Sequence, residues 1–366
     1  MNLLLTGGAG YIGSHAVRRL LAAGHQLLIV DDFRHGHRQL LEAACSEHPE
    51  RATVLPIGIA DRSTLAAALR QHRIEAVMHF AAYIEVGESV ADPLKYYRNN
   101  VRDALALLQM VVEAGVRKFI FSSTAAVYGA PAHVPIVETQ ARAPTNPYGR
   151  SKMMIEMALE DACAAYGIGY AILRYFNVAG ASNDALLGEW HLPETHLIPR
   201  VLAAAATGAA PVAIFGTDYP TRDGTCLRDY VHVEDLVDAH VLALDALQPG
   251  HGEVFNVGSA SGFTVREVIS ACEAVTGRRI EVAEQARRAG DPPALVADSE
   301  RIRAMLGWTP RYAELHTIIA HAWQWQRKLE AMPAGAALQA DGVPAQGRSD
   351  RRASRDVPDG IAATPR

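Results

Sequence analysis

Short apolar runs alternate with longer amphipathic runs along the first half of the chain. The apolar runs have the length and composition of buried strands: 3–6, 26–32, 53–57, 75–80, 118–122 and 169–174. The runs between them carry apolar residues at helical spacing: 15–23, 63–72, 93–114 and 147–166. Strands that alternate with helices form right-handed crossovers and a parallel sheet covered on both faces. The pattern predicts an α/β fold built on a doubly wound parallel sheet.

The second half of the chain carries the same signals at wider spacing. It predicts a strand at 254–257 and helices at 197–207, 233–247, 265–276, 299–306 and 315–329. From about residue 331 small, polar and charged residues replace the large apolar ones, and such a segment buries too little surface to offset its ordering entropy. We therefore predict a second, smaller α/β lobe that binds substrate, followed by a disordered tail at 331–366.

A glycine-rich turn follows the first predicted strand. Gly7 and Gly10 allow the backbone to turn tightly and approach a pyrophosphate, and Gly13 allows the following helix to pack closely. The amides and positive dipole of that helix favour phosphate binding. Asp31 or Asp32, after the second strand, is suited to bind ribose hydroxyls and to repel a 2'-phosphate. The context predicts a Rossmann-type domain that binds NAD.

Tyr148 and Lys152 lie one turn apart at the start of a predicted helix. A nearby ammonium favours the phenolate and lowers the pKa of a tyrosine from about 10. The pair therefore predicts a phenol that exchanges protons near neutral pH. Ser123 or Thr124, at the end of a predicted strand, is placed to offer a hydroxyl beside it. Together these groups are suited to hydride chemistry on an alcohol, with nicotinamide as the hydride carrier.

Composition excludes several classes of protein. Hydrophobic content of 49% and charged content of 20% are typical of a globular protein, and a net charge of -5 gives no basic footprint for nucleic acid. The four cysteines and 15 histidines show no metal-ligand spacing, so we predict no metal site and a reducing compartment. No apolar run approaches the roughly 20 residues that span a bilayer, and no secretory signal is present. We predict a cytoplasmic protein without a membrane partner.

The chain resembles the extended short-chain dehydrogenase/reductase family over about residues 1–330. The matching runs are 6–15, 79–82, 86–89, 99–100, 122–124, 148–152, 174–177, 194–199, 216–225, 228–233 and 287–292. The early runs are shared by many sugar-nucleotide enzymes. The run from Gly216 to Val233 is typical of members that act on UDP-hexoses.

The resemblance implies roles residue by residue. It implies catalytic roles for Thr124, Tyr148 and Lys152. It implies NAD contacts by Gly7, Gly10, Tyr11, Ile12, Gly13, Asp31, Asp32, Phe80, Ala81, Ala82, Asn99, Ser122, Tyr148, Lys152 and Phe176. It implies UDP-hexose contacts by Ser123, Thr124, Tyr148, Asn177, His196, Leu197, Arg228, Arg288 and Asp291. Arg228 and Arg288 also make independent sense, because a guanidinium fork suits a diphosphate.

The activity implied is the reversible, NAD-dependent inversion of C4 between UDP-glucose and UDP-galactose, through a 4-keto sugar. The alternatives are another UDP-sugar epimerase, such as a uronate 4-epimerase, a 4,6-dehydratase, or a non-catalytic NAD-binding regulator. Ala125 and Ala126 stand where dehydratases carry an acid pair, which disfavours the dehydratase. An intact Tyr148 and Lys152 disfavour the regulator.

Two positions depart from the family pattern. The third strand ends without the usual aspartate that contacts adenine, so this contact is absent or is made by Asp61. Leu295 stands where some members have an aromatic residue over the hexose pocket. A smaller side chain there implies room for an N-acetyl group, and hence turnover of UDP-GlcNAc and UDP-GalNAc.

The predicted domain organisation follows from these assignments. Residues 1–175 form the NAD-binding domain, to which 229–260 return, and 176–228 with 261–330 form the UDP-sugar lobe. The apolar faces near 104–112 and 153–159, together with the resemblance, predict a homodimer.

Overall fold

The computed structural model describes residues 1–208, 210–288 and 291–332. Its strands are β1 Asn2–Thr6, β2 Gln26–Val30, β3 Ala52–Leu55, β4 Ala76–His79, β5 Lys118–Thr124, β6 Gly169–Tyr175, β7 Asn177–Ala179, β8 Val212–Phe215, β9 Leu227–His232, β10 Gly252–Val257, β11 Gly262–Thr264, β12 Val282–Gln285 and β13 Ala294–Leu295. Its α-helices are α1 Tyr11–Ala22, α2 Arg38–Cys45, α3 Arg62–Gln71, α4 Val86–Ala91, α5 Pro93–Tyr96, α6 Ala104–Glu113, α7 Pro147–Tyr166, α8 Leu197–Thr207, α9 Val233–Ala246, α10 Val265–Thr276, α11 Glu300–Leu306 and α12 Leu315–Ala331. The predicted tail lies, from residue 333 onward, outside the described residues.

Seven parallel strands form the main sheet, in the order β10-β6-β5-β4-β1-β2-β3. Strands β1, β4 and β5 are almost wholly buried, as expected for a sheet covered on both faces. One face packs apolar residues of α1, α2 and α9, and the other packs residues of α3, α6 and α7. The predicted doubly wound fold is confirmed, and it places the ends of β1, β4 and β5 along one edge.

A smaller lobe lies beyond the carboxyl ends of the main strands. Its four-stranded sheet has β9 paired with β7, β11 and β13, and β8 pairs separately with β12. Helices α8, α10 and α12 pack around a third core that includes Val201, Val268 and Ile318. The domain boundaries remain a prediction, although the one after 228 falls inside β9.

The predicted helix at 93–114 is interrupted. Asp92 accepts a hydrogen bond from Lys95 N at 3.1 Å and so caps the short helix α5. A π-helical segment, Tyr97–Asp103, separates α5 from α6. Such segments are often found at functional sites, and this one carries Asn99 and Asn100.

No helix in the described part of the chain is long and apolar enough to cross a membrane. All four cysteines fall within that part, and each is an unpaired thiol.

Candidate functional site

The glycine-rich turn joins β1 to α1. Its backbone lies so close to neighbouring atoms that a side chain at Gly7 or Gly13 would not fit. Gly7 has φ +76°, and a Cβ there would lie 2.7 Å from Ala81 N in the loop after β4. A Cβ on Gly13 would lie 2.0 Å from the Gly7 carbonyl oxygen. Gly10 caps α1 and has no side chain to occupy the first amides of the helix. These amides are free to bind an anion, so the turn fits the pyrophosphate of a dinucleotide.

The residues that follow the turn connect the two lobes. Tyr11 is buried, and its hydroxyl donates a hydrogen bond to the Gly180 carbonyl at 2.7 Å, beyond β7. Ile12 is partly exposed on the same turn. Phe80, Ala81 and Ala82 follow β4 and are also partly exposed. They line the edge of the sheet that the glycine-rich turn faces.

Two acids follow β2, where a dinucleotide site has an acid that binds ribose. The Asp31 carboxylate accepts hydrogen bonds from Ala9 N at 2.9 Å and Phe33 N at 2.8 Å, and burial raises its pKa. Asp32 is more exposed and pairs with Arg34 at 3.1 Å. Asp31 therefore holds the glycine-rich turn in place through its hydrogen bond with Ala9 N. Both acids lie where ribose hydroxyls are expected.

Asp61 acts as a helix cap, which disfavours it as a replacement for the missing adenine contact. Its carboxylate caps α3, accepting hydrogen bonds from Thr64 N at 3.2 Å and Ser63 Oγ at 3.0 Å. Gly58 instead lies beside the site, because a Cβ there would be 3.3 Å from Asp32 Oδ2. Of the two predicted alternatives, loss of the contact is the one this geometry favours.

The first turns of helix α7 carry Tyr148 and Lys152. Asn146 caps it by accepting a hydrogen bond from Gly149 N at 2.9 Å, and Pro147 occupies the first turn. Tyr148 and Lys152 are both buried, and Lys152 Nζ donates to the Ser122 carbonyl at 2.8 Å. This contact joins the helix to the end of β5.

Thr124 completes the arrangement at the end of β5. Its hydroxyl accepts a hydrogen bond from Ala126 N at 3.1 Å, and it lies close enough to the Tyr148 phenol to favour the charged form of that phenol. The structure thus brings together the three predicted catalytic residues, Thr124, Tyr148 and Lys152.

Burial sets the pKa values of this group. It raises the pKa of the Tyr148 phenol to about 12, although the nearby Thr124 hydroxyl acts in the opposite direction. It also lowers the pKa of the Lys152 ammonium to about 7, against the attraction of the Glu156 carboxylate. Burial therefore disfavours both charges in this structure. The lowering of the phenol pKa by Lys152 together with a bound nicotinamide stays a prediction.

Ser123 does not face the site. It is fully buried, and its hydroxyl donates to Glu156 Oε1 at 2.5 Å. Glu156 also forms a bidentate ion pair with Arg174, with N–O distances of 2.6 and 3.0 Å. The predicted substrate contact by Ser123 is contradicted, because alternate residues of a strand point to opposite faces.

The π-helical segment carries Asn99, which was predicted to contact NAD, and Asn100, to which the sequence analysis gave no role. Asn99 is partly exposed and donates to Asn100 Oδ1 at 2.9 Å. Asn100 is buried, exchanges hydrogen bonds of 2.9 Å with the Tyr83 backbone, and donates to Ser151 Oγ at 3.2 Å. It ties the loop after β4 to α7. Two adjacent asparagines in the sequence could have drawn attention to Asn100, but the sequence did not show which of the two is buried.

The small lobe gathers predicted substrate residues on one sheet. Asn177 on β7 lies opposite Tyr230, and Leu295 on β13 lies opposite Arg228. Arg228 Nη2 forms an ion pair with Asp291 Oδ1 at 2.5 Å. This contact joins two residues that were each predicted to bind substrate.

Arg288 is exposed and lies over the Phe215 ring, 4.0 Å from its centroid. It has no carboxylate partner in the described part of the chain, so its guanidinium is available to an anion. Phe176 is buried in a cluster that also contains Leu295 and Met153. His196 caps α8 and Leu197 begins it. These assignments remain predictions.

Comparisons with known proteins agree with this geometry. The model of the NAD dependent epimerase/dehydratase family matches residues 3–258. A UDP-glucose 4-epimerase of Lacticaseibacillus casei is 47% identical over 326 residues, covering 89% of this chain and 96% of that protein.

Two solved structures are also similar. The UDP-glucose 4-epimerase from Bifidobacterium longum, in complex with NAD+ and UDP, is 36% identical with a TM-score of 0.86, covering 90% of this chain and 98% of that one. The UDP-Glc/GlcNAc 4-epimerase from Campylobacter jejuni is 42% identical with a TM-score of 0.78, covering 89% and 99%.

The family match and the described turn agree on the cofactor. The uncapped amides of α1 and the acids after β2 fit a dinucleotide, so the predictions of NAD and of family resemblance are confirmed. On the family match, the identity to its relatives and the shared fold, the chain belongs to the NAD-dependent epimerase/dehydratase family.

Proposed function

We propose that this protein interconverts UDP-glucose and UDP-galactose by inverting the configuration at C4. The observation that carries the proposal is the buried group of Thr124, Tyr148 and Lys152, in which the Lys152 amine is held on the Ser122 carbonyl at 2.8 Å. This arrangement stands at the sheet edge that carries the dinucleotide turn. The relatives in the comparison are UDP-glucose 4-epimerases, which supports the substrate.

Each residue of the site has a separate role in the proposed reaction. Bound NAD supplies the reversible two-electron acceptor for the hydrogen on C4. The Tyr148 phenol exchanges the proton of the sugar 4-hydroxyl, and Thr124 orients that hydroxyl. Lys152 supports the phenolate form when its amine is protonated. Arg228 and Arg288 hold the diphosphate, so that the hexose can turn its other face toward Tyr148 without leaving.

Substituting Tyr148→Phe tests this role. The variant keeps the ring and loses the hydroxyl, so we expect turnover to fall by about 10²–10⁴-fold while UDP binding is retained. Turnover is measured on a panel of UDP-glucose, UDP-galactose, UDP-GlcNAc and UDP-glucuronate, with the 4-epimer identified by NMR. Unchanged turnover of the phenylalanine variant contradicts the catalytic role. A preference for the uronate identifies the alternative epimerase.

The hexose pocket is proposed to admit an N-acetyl group as well. Leu295, opposite Arg228, packs with Phe176 rather than presenting an aromatic ring. The related Campylobacter jejuni enzyme is a UDP-Glc/GlcNAc 4-epimerase.

Substituting Leu295→Tyr fills the proposed space. We expect it to lower turnover of UDP-GlcNAc at least about tenfold and to spare UDP-glucose, because specificity follows pocket contacts. Leu192→Tyr, at an exposed leucine, is the matched control. An equal loss on both sugars shows that Leu295 does not gate the N-acetyl group.

We also propose that the protein is a cytoplasmic homodimer. Four free thiols are consistent with a reducing compartment. Helices α6 and α7 pack together and expose Leu105, Met154 and Met157, which are 42%, 41% and 48% accessible. An exposed apolar patch on two adjacent helices is typical of an interface.

A further inference from the structure

Four potential metal ligands lie together on the loop between β7 and α8. They are Glu189, His191, Glu194 and His196, and one ligand atom of each lies within 4.8 Å of the others. The sequence predicted no metal site, because this spacing matches no common motif. The loop brings the four side chains together without a helix or strand to set the spacing.

The distances within this cluster suit a small cation. The Nδ1 atom of His196 lies 2.8 Å from Glu189 Oε1 and 3.1 Å from Glu194 Oε1. The Nδ1 atom of His191 lies 3.3 Å from Glu189 Oε1 and 3.5 Å from Glu194 Oε2. Ligands about 2.0–2.1 Å from a tetrahedral zinc ion are about 3.3 Å from one another. The cluster therefore needs only small side-chain shifts to enclose an ion.

The polar atoms of the cluster point inward. Nδ1 of His191 is buried and makes no hydrogen bond of good geometry among the described residues. Glu189 is also buried. A buried imidazole nitrogen that lacks a well-formed hydrogen bond but lies 3.3 and 3.5 Å from two carboxylates is suited to a ligand position.

We propose that Glu189, His191, Glu194 and His196 form a binding site for one divalent transition-metal ion, with Zn²⁺ as the best match. Two imidazoles and two carboxylates are ligands that zinc accepts, whereas magnesium and calcium prefer oxygen ligands alone. The two carboxylates balance the charge of the ion.

The surroundings of the loop support a structural role for the ion. The Glu189 carbonyl accepts a hydrogen bond from Trp325 Nε1 at 2.8 Å, which fixes one end of the loop to α12. The His191 ring stands edge-on to Tyr11, with centroids 6.4 Å apart. His196 directly precedes Leu197, the first residue of α8. The ion therefore fixes the loop between the dinucleotide turn and the start of α8.

A closed set of ion pairs is the competing explanation. Although burial acts against it, contact with the two carboxylates raises the pKa of His191 to about 9 and that of His196 well above its usual value. Two imidazolium groups then balance two carboxylates without a metal. A metal ion has to displace these protons, so its binding releases protons and strengthens as pH rises.

Calorimetric titration of the untagged full-length chain with ZnCl₂ tests the site. We expect one equivalent of zinc per chain, with proton release seen as a difference between buffers of different ionisation enthalpy. Cobalt bound at the same stoichiometry is expected to show the visible absorption of four-coordinate Co²⁺. No bound equivalent overturns the proposal in favour of the ion-pair explanation. Octahedral cobalt spectra overturn the assignment of these four side chains as the ligands.

The variant His191→Asn/His196→Asn is expected to lose that equivalent. The exposed pair of His48 and Glu50, whose Nδ1 and Oε1 atoms are 3.9 Å apart, supplies the matched control His48→Asn/Glu50→Gln, which should keep it. If the double variant does not fold by circular dichroism, Glu194→Gln is used and should weaken zinc binding at least about tenfold. Unchanged binding in the folded variant overturns the assignment. Because the readout is binding, its failure is distinct from failure of the proposed epimerisation.

Discussion

At the scale of the single residue, Lys152 shows how burial beside the candidate active site changes the pKa of a lysine. Its side chain is 4% exposed, and its amine has the Ser122 carbonyl as a partner at 2.8 Å. Burial lowers its pKa to about 7, whereas a lysine in an unfolded chain has a pKa of about 10.4. Between these values the unfolded chain binds a proton that the folded protein releases.

The free energy of unfolding should therefore carry a contribution from Lys152 that rises with pH from about 7 toward 10. The slope is at most about 1.4 kcal/mol per pH unit. Urea unfolding of the wild type and of Lys152→Met at pH 7, 8 and 9 measures it. We expect the stability difference, wild type minus variant, to increase with pH. A constant difference for Lys152→Met contradicts the assigned pKa.

Two neighbouring hydroxyls show the limit of sequence reasoning at this scale. Ser123 and Thr124 were equally plausible partners for Tyr148, because the sequence does not fix which face of β5 each residue occupies. The structure turns Ser123 to Glu156 and Thr124 to Tyr148. Tyr148 and Lys152 were predictable, because helical spacing alone places them on one face. The effect of burial on their pKa values was not, since it depends on residues distant in the sequence.

At the scale of the element, α7 is fixed to the sheet by charge as well as by apolar packing. Glu156, one turn beyond Lys152, is fully buried, and Arg174 on β6 binds it through two nitrogens. Arg142 reaches the same carboxylate at 3.2 Å. Such a pair contributes less to stability than to position, since burial of both charges offsets much of their attraction.

Removing only one partner of this pair should be costly. Arg174→Met leaves the Glu156 charge buried with Arg142 alone, and we expect a loss of about 3–5 kcal/mol in the free energy of unfolding. Arg174→Met/Glu156→Leu removes both charges and should recover much of that loss. The exposed pair Arg222–Glu267 gives the control Arg222→Met, expected to cost no more than about 1 kcal/mol. Equal losses in Arg174→Met and Arg222→Met would mean that burial of the pair is unimportant.

Elements differed in how well the sequence predicted them. The bounds of α7 were predicted in full, because Asn146 and Pro147 mark its start and the left-handed Gly167 its end. The interruption of the 93–114 run was missed, since a π-helical segment keeps an apolar pattern close to that of an α-helix. The sequence analysis missed β7, β8, β9, β11, β12 and β13 of the small lobe. All of these except the six-residue β9 have only two to four residues, which are too few to show a periodicity.

At the scale of the whole molecule, the alternation of strands and helices in the sequence was enough to predict the main sheet. It was not enough to predict where the chain crosses from one lobe to the other. The proposed dimer is the other property at this scale. It places the exposed residues of α6 and α7 against a second copy, where they form a four-helix contact.

A charge in the centre of that surface should separate the subunits. We expect Leu105→Glu/Met157→Glu to elute as a monomer, because an unpaired carboxylate is unfavourable in an apolar interface. Size-exclusion chromatography with light scattering gives the mass directly. Met305→Glu, at a methionine that is 50% exposed on α11, is the control and should keep the wild-type mass. A monomeric wild type, or a dimeric double variant, excludes this interface.

The position of β9 and β10 has a consequence for the unfolding of the protein. The chain passes from β6 into β7, from β9 back into α9, and from β10 out again to β11, so the lobes are joined by several strands of backbone. The buried Asp229 carboxylate adds a tether by accepting hydrogen bonds from Ser259 N at 2.7 Å and Ala297 N at 3.0 Å. This shared backbone couples the unfolding of one lobe to that of the other. We therefore expect the two lobes to unfold in one cooperative step, and neither lobe to fold as an isolated fragment.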